Sequence, residues 1–282
     1  MSVAADQHAT FRLPSGQVVH VWKPAVAPIG MVQLQHGFAE YAERFVSEYH
    51  RFIPRLLADR YEVWAMDLQG HGSSPGLRAV TDTVAAVRDH TEVRRLMRER
   101  GLPLVLFGHS YGGLITAASV ADDDADVRGV VLTAPVILSR TPWMVRRAAA
   151  AVDRIAPAAA VPGSKNPVPL AHDAAAVGRA GADPLMYRGT TTVRVGATAL
   201  QVADRLWRRV DDWRVPLVIF HGTSDVSTDP LRSAALVEAI DAPTAEYRSI
   251  QGGYHELLHD QVGDDRIRSE ILRRFREWTA MP

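Results

Sequence analysis

The stretch "LVLFGHSYGGLITAA", Leu104 to Ala118, decides the reading of this chain. Apolar residues run up to Phe107, a lone Ser110 stands between His109 and Tyr111, and Ala- and Leu-rich helical sequence follows the glycines. A strand that turns directly into a helix strains the turn residue and projects its side chain from the end of the sheet. Side chains two residues before and after would crowd such a turn, which suits Gly108 and Gly112. The first N–H groups of the helix then lie beside the serine hydroxyl, with a partial positive charge suited to a developing oxyanion. The G-x-S-x-G pattern between strand and helix points to a nucleophilic serine. An ordinary glycine-rich βα turn is the alternative.

On both sides of this stretch, short apolar runs alternate with longer helical patterns. The alternation predicts an α/β domain with a mostly parallel sheet flanked by helices. Strands are expected near Thr10–Leu13, Val18–Lys23, Gly30–Gln35, Tyr61–Asp67, Leu104–Gly108, Val127–Thr133, Val215–Phe220 and Ala245–Ile250. Helices are expected near Arg44–Asp59, Asp82–Arg100, onward from Ser110, and at Ala197–Val210, Pro230–Ile240 and Arg266–Trp278. After Pro135 the rhythm breaks, and residues 136–195 are rich in Ala, Arg and Pro with no convincing strand. This segment reads as a helical cap inserted after the sixth strand. It leaves 1–135 and 196–282 as the core and lies over the strand ends where open α/β sheets bind ligands. Within it, "TPWMVRRAAAAVDRIAP" reads as a helix with Thr141 as N-cap and Pro142 in the first turn. Met144, Ala148, Ala151, Val152 and Ile155 share one face of that helix. The stripe either packs on the body or lines an acyl-chain site, where Ala148 and Ala151 leave room, and it can rest on lipid.

A serine hydroxyl needs a base to take its proton and an acid to hold that base. In this topology both lie on loops after strands, with the acid before the histidine. Asp225 follows the strand "VPLVIF" through "HGTSD", and Asp229 with Pro230 reads instead as a helix start. His255 follows the last strand in "IQGGYHELLHD", where Gly252 and Gly253 let the loop fold over the serine. His259 is its rival, one turn further on. His36, His71, His109 and His221 each stand beside a loop glycine, and hydrogen bonding between loops is the expected role of each. An oxyanion hole needs two backbone N–H groups. Tyr111, after the serine, and Phe38, in the loop after Gly30–Gln35, are the candidates.

Composition bounds the partners. The chain has 282 residues, 47% hydrophobic, enough for one large domain, and a formal net charge of +0 that offers no basic stripe for nucleic acid. Only Lys23 and Lys165 are lysines, so the positive charge is nearly all arginine. Cysteine is absent, which excludes disulfides, thiol nucleophiles and cysteine metal sites. The first residues lack the charged and apolar segments of a signal peptide, and no apolar run approaches the roughly 18 residues that span a bilayer. A cytoplasmic protein is the expectation.

"HGFAEYAERF", "DLQGHGSSPG", "GHSYGG", "HGTSD" and "GYHELLH" stand in the order and spacing of one family. From about residue 10 to 279, the chain resembles the monoacylglycerol lipase and lysophospholipase group of α/β-hydrolases. The resemblance implies the α/β-hydrolase fold, with Ser110 as nucleophile, Asp225 and His255 as its partners, and Phe38 and Tyr111 as oxyanion donors. It implies hydrolysis of monoacylglycerol- or lysophospholipid-like esters without metal or cofactor, and a cap able to touch a membrane surface. Glu40 and Arg44 match polar, substrate-binding positions of the oxyanion loop, and "ADPLMYRG" looks like the family's D-P-L segment in the cap. Tyr41, Gln69 and Tyr111 replace residues common in the family, and "HDAAAVGRAG" and Leu258 stand where polar groups bind glycerol. The alternatives are a carboxylesterase or thioesterase for a non-lipid acyl group, or a slow hydrolase used as a ligand sensor.

Overall fold

The computed structural model describes residues 7–164, 170–240, 244–259 and 265–281. Residues 165–169, which include Lys165, belong to the expected cap and lie outside the described residues. Strands β1 (Gln7–Arg12), β2 (Val18–Lys23), β3 (Gly30–Gln35), β4 (Tyr61–Met66), β5 (Leu104–His109), β6 (Val127–Thr133), β7 (Leu217–Gly222) and β8 (Ala245–Ile250) form one sheet. Its order is β1-β2-β4-β3-β5-β6-β7-β8. β1 and β2 pair antiparallel, as do β2 and β4, and the pairings from β4 across to β8 are parallel. The helices are α1 (Arg44–Ser47), α2 (Phe52–Ala58), α3 (Thr83–Arg98), α4 (Tyr111–Asp122), α5 (Trp143–Ile155), α6 (Ala174–Ala182), α7 (Val193–Arg209), α8 (Pro230–Ala239) and α9 (Arg266–Ala280). This is the α/β-hydrolase architecture expected from the sequence.

The central strands bury both faces, so their sequences read as continuous apolar runs. Leu104 and Leu106 of β5 pack on the side of α3, α4 and α7, while Val105 and Phe107 pack on the side of α2 and α9. The same alternation divides Leu217 and Ile219 from Val218 and Phe220 in β7. The chain leaves β3 for β4 on one side and returns to β5 on the other. The loops after β3 and β5 therefore part from adjacent strand ends and open a crevice, the usual ligand position in such sheets.

Several expected elements differ in detail. The single helix expected over Arg44–Asp59 is two, because Tyr49, His50 and Arg51 adopt φ of 51°, 51° and 58°. That left-handed break turns Tyr49 inward, where its hydroxyl donates to Glu40 Oε2 at 2.6 Å. α7 begins at Val193, so the boundary expected at residue 196 falls inside its first turn. Thr141 does not cap α5. Pro142 takes the N-cap position with an extended ψ of 140°, and no side chain caps that end.

Helix α5 also turns the opposite way from the packing expectation. None of its residues is buried, and its apolar side chains face solvent, Trp143 being 61% and Ile155 86% exposed. The helix meets α7 through its other face, with Arg146 bonded to Asp204 at 2.8 Å and Asp153 to Arg194 at 2.6 Å. These ion pairs set its rotation and leave the apolar stripe outside. Among the described residues, no helix is long and apolar enough to cross a membrane.

Candidate active site

Ser110 sits between β5 and α4 with φ 52° and ψ −120°, a conformation that few non-glycine residues adopt. Three backbone bonds hold it there: its N–H donates to Thr133 O (2.9 Å), and its carbonyl accepts from Gly113 N (2.9 Å) and Val136 N (3.0 Å). The flanking glycines are required by close approach. A Cβ on Gly108 would lie 2.7 Å from Thr116 Oγ1, and one on Gly112 would lie 2.4 Å from the carbonyl oxygens of Gln35 and His36.

The loops after β7 and β8 bring Asp225 and His255 to this serine. His255 Nε2 lies 2.9 Å from Ser110 Oγ, and His255 Nδ1 lies 2.7 Å from Asp225 Oδ2. An ionised carboxylate only accepts, so Nδ1 carries the proton and Nε2 is free to accept from the serine hydroxyl. Burial opposes the charge on Asp225. Hydrogen bonds from His221 and His255, with Ser227 N at 2.7 Å from Oδ1, outweigh it and hold the carboxyl far below its ordinary range. The rivals serve elsewhere. Asp229 caps α8 by accepting from Leu231 N, and His259 packs on the Tyr49 ring with centroids 4.3 Å apart.

The loop after β3 is clamped against the serine. A Cβ on Gly37 would lie 3.1 Å from Ser110 Cβ, so the backbone passes close to the serine side chain. Glu40 Oε1 accepts from Gly37 N at 2.7 Å and closes the turn. Ala39, next to Phe38, has φ 74°. Its N–H donates to His71 Nε2 at 3.2 Å, and its carbonyl accepts from Tyr187 N at 2.8 Å. Tyr41 OH donates to Asp183 Oδ2 at 2.7 Å. The segment that resembles the D-P-L motif thus holds the chain just after Phe38, at Ala39 and Tyr41, and the Tyr187 ring meets the Phe38 ring edge-on. Sequence reading anticipated loop-to-loop bonding for His36 and His71; the structure adds that both brace this turn, His36 Nδ1 lying 2.7 Å from Gly37 O.

Ser110, His255, Phe38 and Tyr111 line one cavity of about 990 Å³. Its apolar walls include Val136, Ile137, Val195 and Ala199, together with Val177, Ala180 and Gly181 of α6 and Met186. Ala148 and Ala151, expected to line a substrate site, do not. They lie on exposed positions of α5, whose ion pairs to α7 turn them away from the cavity. The alanine-rich helix that does line it is α6, from "HDAAAVGRAG".

Glu40 and Arg44 form a polar wall of the same cavity. Arg44 Nη1 lies 3.1 Å from Glu40 Oε2 and 3.2 Å from Glu256 Oε1, and its buried Nη2 has no hydrogen-bond partner among the described residues. Burial disfavours the Glu40 charge, but His109, Arg44, His36 and the Tyr49 hydroxyl lower its pKa to about 2. His109 itself is pushed down to about 4 by burial, so at neutral pH Arg44 and Tyr49 carry that stabilisation. Burial pushes Glu256 up. Glu256 and Tyr49 carry no expectation from the sequence, whereas His221 makes the kind of hydrogen bonds expected of it, to Asp225 and Ser233. A carboxylate placed directly after His255 in the apolar run "HELLH" was the available signal for Glu256. Among the described residues, His8, His20 and Glu43 are the group with metal-ligand spacing. They lie at the antiparallel edge, where His8 Nε2 and His20 Nδ1 hydrogen-bond each other at 3.1 Å.

Residues 26–262 match the Hydrolase_4 family, described as serine aminopeptidase, S33. The chain is 27% identical over 266 residues to the monoglyceride lipase of Homo sapiens, covering 92% of this chain and 85% of that one. It is also 27% identical over 267 residues to the monoacylglycerol lipase of Mycolicibacterium smegmatis, covering 92% and 93%. The crystal structure of a Paleococcus ferrophilus monoacylglycerol lipase superposes with a TM-score of 0.78 at 25% identity, over 97% of this chain and 99% of that one. The chain belongs to the Hydrolase_4 family of α/β-hydrolases, in the group that resembles the monoacylglycerol lipases, and is an ester hydrolase of that type.

Proposed function

We propose that the chain cleaves monoacylglycerol- or lysophospholipid-like esters through an acyl-enzyme on Ser110. The observation that carries this reading is the hydrogen-bonded series Ser110 Oγ, His255 Nε2, His255 Nδ1, Asp225 Oδ2, opening into a largely apolar cavity. His255 takes the hydroxyl proton as Ser110 attacks the ester carbonyl, and Asp225 stabilises the imidazolium that forms. The N–H groups of Phe38 and Tyr111 receive the oxyanion, aided by the start of α4. His255 then protonates the leaving alcohol, and water, activated by the same imidazole, releases the acid. The acyl chain lies along Val177, Met186, Val195 and Ala199. The alcohol side meets Glu40 and Arg44, whose unpaired Nη2 offers a donor to a substrate oxygen.

Residues 136–195 act as a cap in this reading, with α6 as the acyl wall. The outward stripe of Trp143, Met144, Val145, Val152 and Ile155, edged by Arg147 and Arg154, supports transient contact with a lipid surface. The test is a release assay across monoacylglycerols, lysophospholipids and short-chain soluble esters. Faster kcat/KM on the long single-chain lipids supports the reading. A preference for acetate or thioester substrates would replace it with the general esterase or thioesterase alternative.

A further inference from the structure

One buried titratable side chain beside this triad has no part in the chemistry just described. His221, at the end of β7, is fully buried. Its Nε2 lies 3.1 Å from Asp225 Oδ2, the same oxygen that faces His255 Nδ1 at 2.7 Å and Thr228 Oγ1 at 2.8 Å. Its Nδ1 lies 2.8 Å from Ser233 Oγ on α8, also fully buried. A lone pair on Nε2 would face the carboxylate repulsively, so Nε2 carries the proton and donates. With the proton on Nε2, Nδ1 is the acceptor and Ser233 donates to it. Ser233 therefore fixes the tautomer that lets His221 reach Asp225.

We infer that His221, held by Ser233, is a positioning residue that divides the charge of Asp225 Oδ2 between two histidines and so sets how readily His255 gives up its proton. The inference rests on Asp225 and His255 serving Ser110 as proposed above. Each donor on a carboxylate oxygen disperses its negative charge and fixes its plane. With His221 removed, more of that charge falls on His255, which favours the imidazolium. The base is then protonated over a wider acid range, and Asp225 is freer to rotate. The other titratable and charged groups around His255 are His109 at the end of β5, with ring centroids 5.1 Å away, and Glu256, Arg44 and Glu40 on the polar wall. Among the described residues the side-chain polar contacts of His221 are Asp225, Thr228 and Ser233, so its substitution leaves that other set in place.

The experiment compares His221→Leu, His221→Gln and Ser233→Ala with the wild type. It reads kcat/KM for a nitrophenyl butyrate ester from pH 5 to 9, fluorophosphonate titration of intact sites, and thermal melts for folding. His221→Leu should move the acid limb up by about half to one pH unit and lower the plateau by about tenfold. His221→Gln, whose amide N–H reaches the position of Nε2, should restore the limb. Ser233→Ala should move it upward by a smaller amount. A folded His221→Leu with the wild-type limb and only a lower plateau would make His221 a packing residue and overturn the inference. If His221→Leu does not fold, an unmoved limb in Ser233→Ala overturns it instead. Full turnover in Ser110→Ala would sink the parent reading. An inactive Ser110→Ala beside unmoved His221 and Ser233 limbs would sink this inference alone.

Discussion

Ser110, Asp225 and His255 are nearly buried, and every one is held by two or more hydrogen bonds to other elements. Helix α5 has no buried residue, meets the body through ion pairs and turns its largest apolar side chains to solvent. In the first region, residue type follows from local necessity: glycine where a Cβ would collide, a carboxylate where several donors converge. In the second, the sequence allows more than one rotation of the helix, and two arginine–aspartate contacts with α7 choose between them. Between them in the chain, Asp183 and Tyr187 bond Tyr41 and Ala39 and so grip the loop carrying Phe38.

The largest effects should come from breaking the first region. Ser110→Ala and His255→Ala should each lower ester turnover by roughly 10⁴-fold or more in a folded protein, with the double variant little worse, because the two act as one unit. Independent losses that multiplied would separate them.

Acid should act on the same buried set. Burial pushes His71 down to about 3 and His109 and His259 to about 4, from an ordinary 6.5. The unfolded chain takes up these protons below about pH 6.5 while the folded chain resists. Their stabilising contribution is therefore present above that pH and is lost as pH falls toward 4. For Glu40 the folded pKa of about 2 lies below its ordinary 4.5, so its contribution is lost in turn as pH falls from 4.5 toward 2. A shift of this size is worth of order 3 kcal/mol per group. Urea midpoints should fall steadily below pH 6.5; a flat profile from pH 8 to 5 would contradict the burial of these histidines.

The smallest effects belong to α5. Tryptophan at Ala148 or Ala151 should leave acyl-chain preference within about twofold of wild type, since both face away from the cavity. Tryptophan at Val177 should penalise long esters over short ones by about tenfold or more, as expected for a blocked apolar site. Changing Trp143 and Ile155 to serine should slow hydrolysis of vesicle-borne monoacylglycerol and spare a soluble ester. Equal effects at Ala148 and Val177 would erase the contrast between the two helices.

Much of the fold was legible because buried strands, glycine turns and chain order are local. The strand positions and the order Ser110, Asp225, His255 needed nothing beyond periodicity, turn chemistry and the motif resemblance. The helix break at Tyr49 was hidden, since "RFVSEYHRFIPRLLAD" has helical composition throughout, and the bond from Tyr49 to the Glu40 carboxylate joins residues outside helical spacing. Glu256 pairs with Arg44 across more than two hundred residues, a contact no local pattern reports. Ala148 and Ala151 misled for a related reason: alanine gives a helix little preference for which side to bury, so the helix that walls the cavity could not be told from the one that faces water.

The central claim is that Ser110 carries the acyl group. Its most direct test is intact-protein and peptide mass spectrometry after rapid acid quench during turnover of a monoacylglycerol or nitrophenyl ester. The account predicts an acyl adduct on the peptide holding Ser110, growing within the first turnover and absent from Ser110→Ala. A turning-over enzyme with its adduct on another residue, or a Ser110→Ala variant that hydrolyses the ester at the wild-type rate, would contradict it.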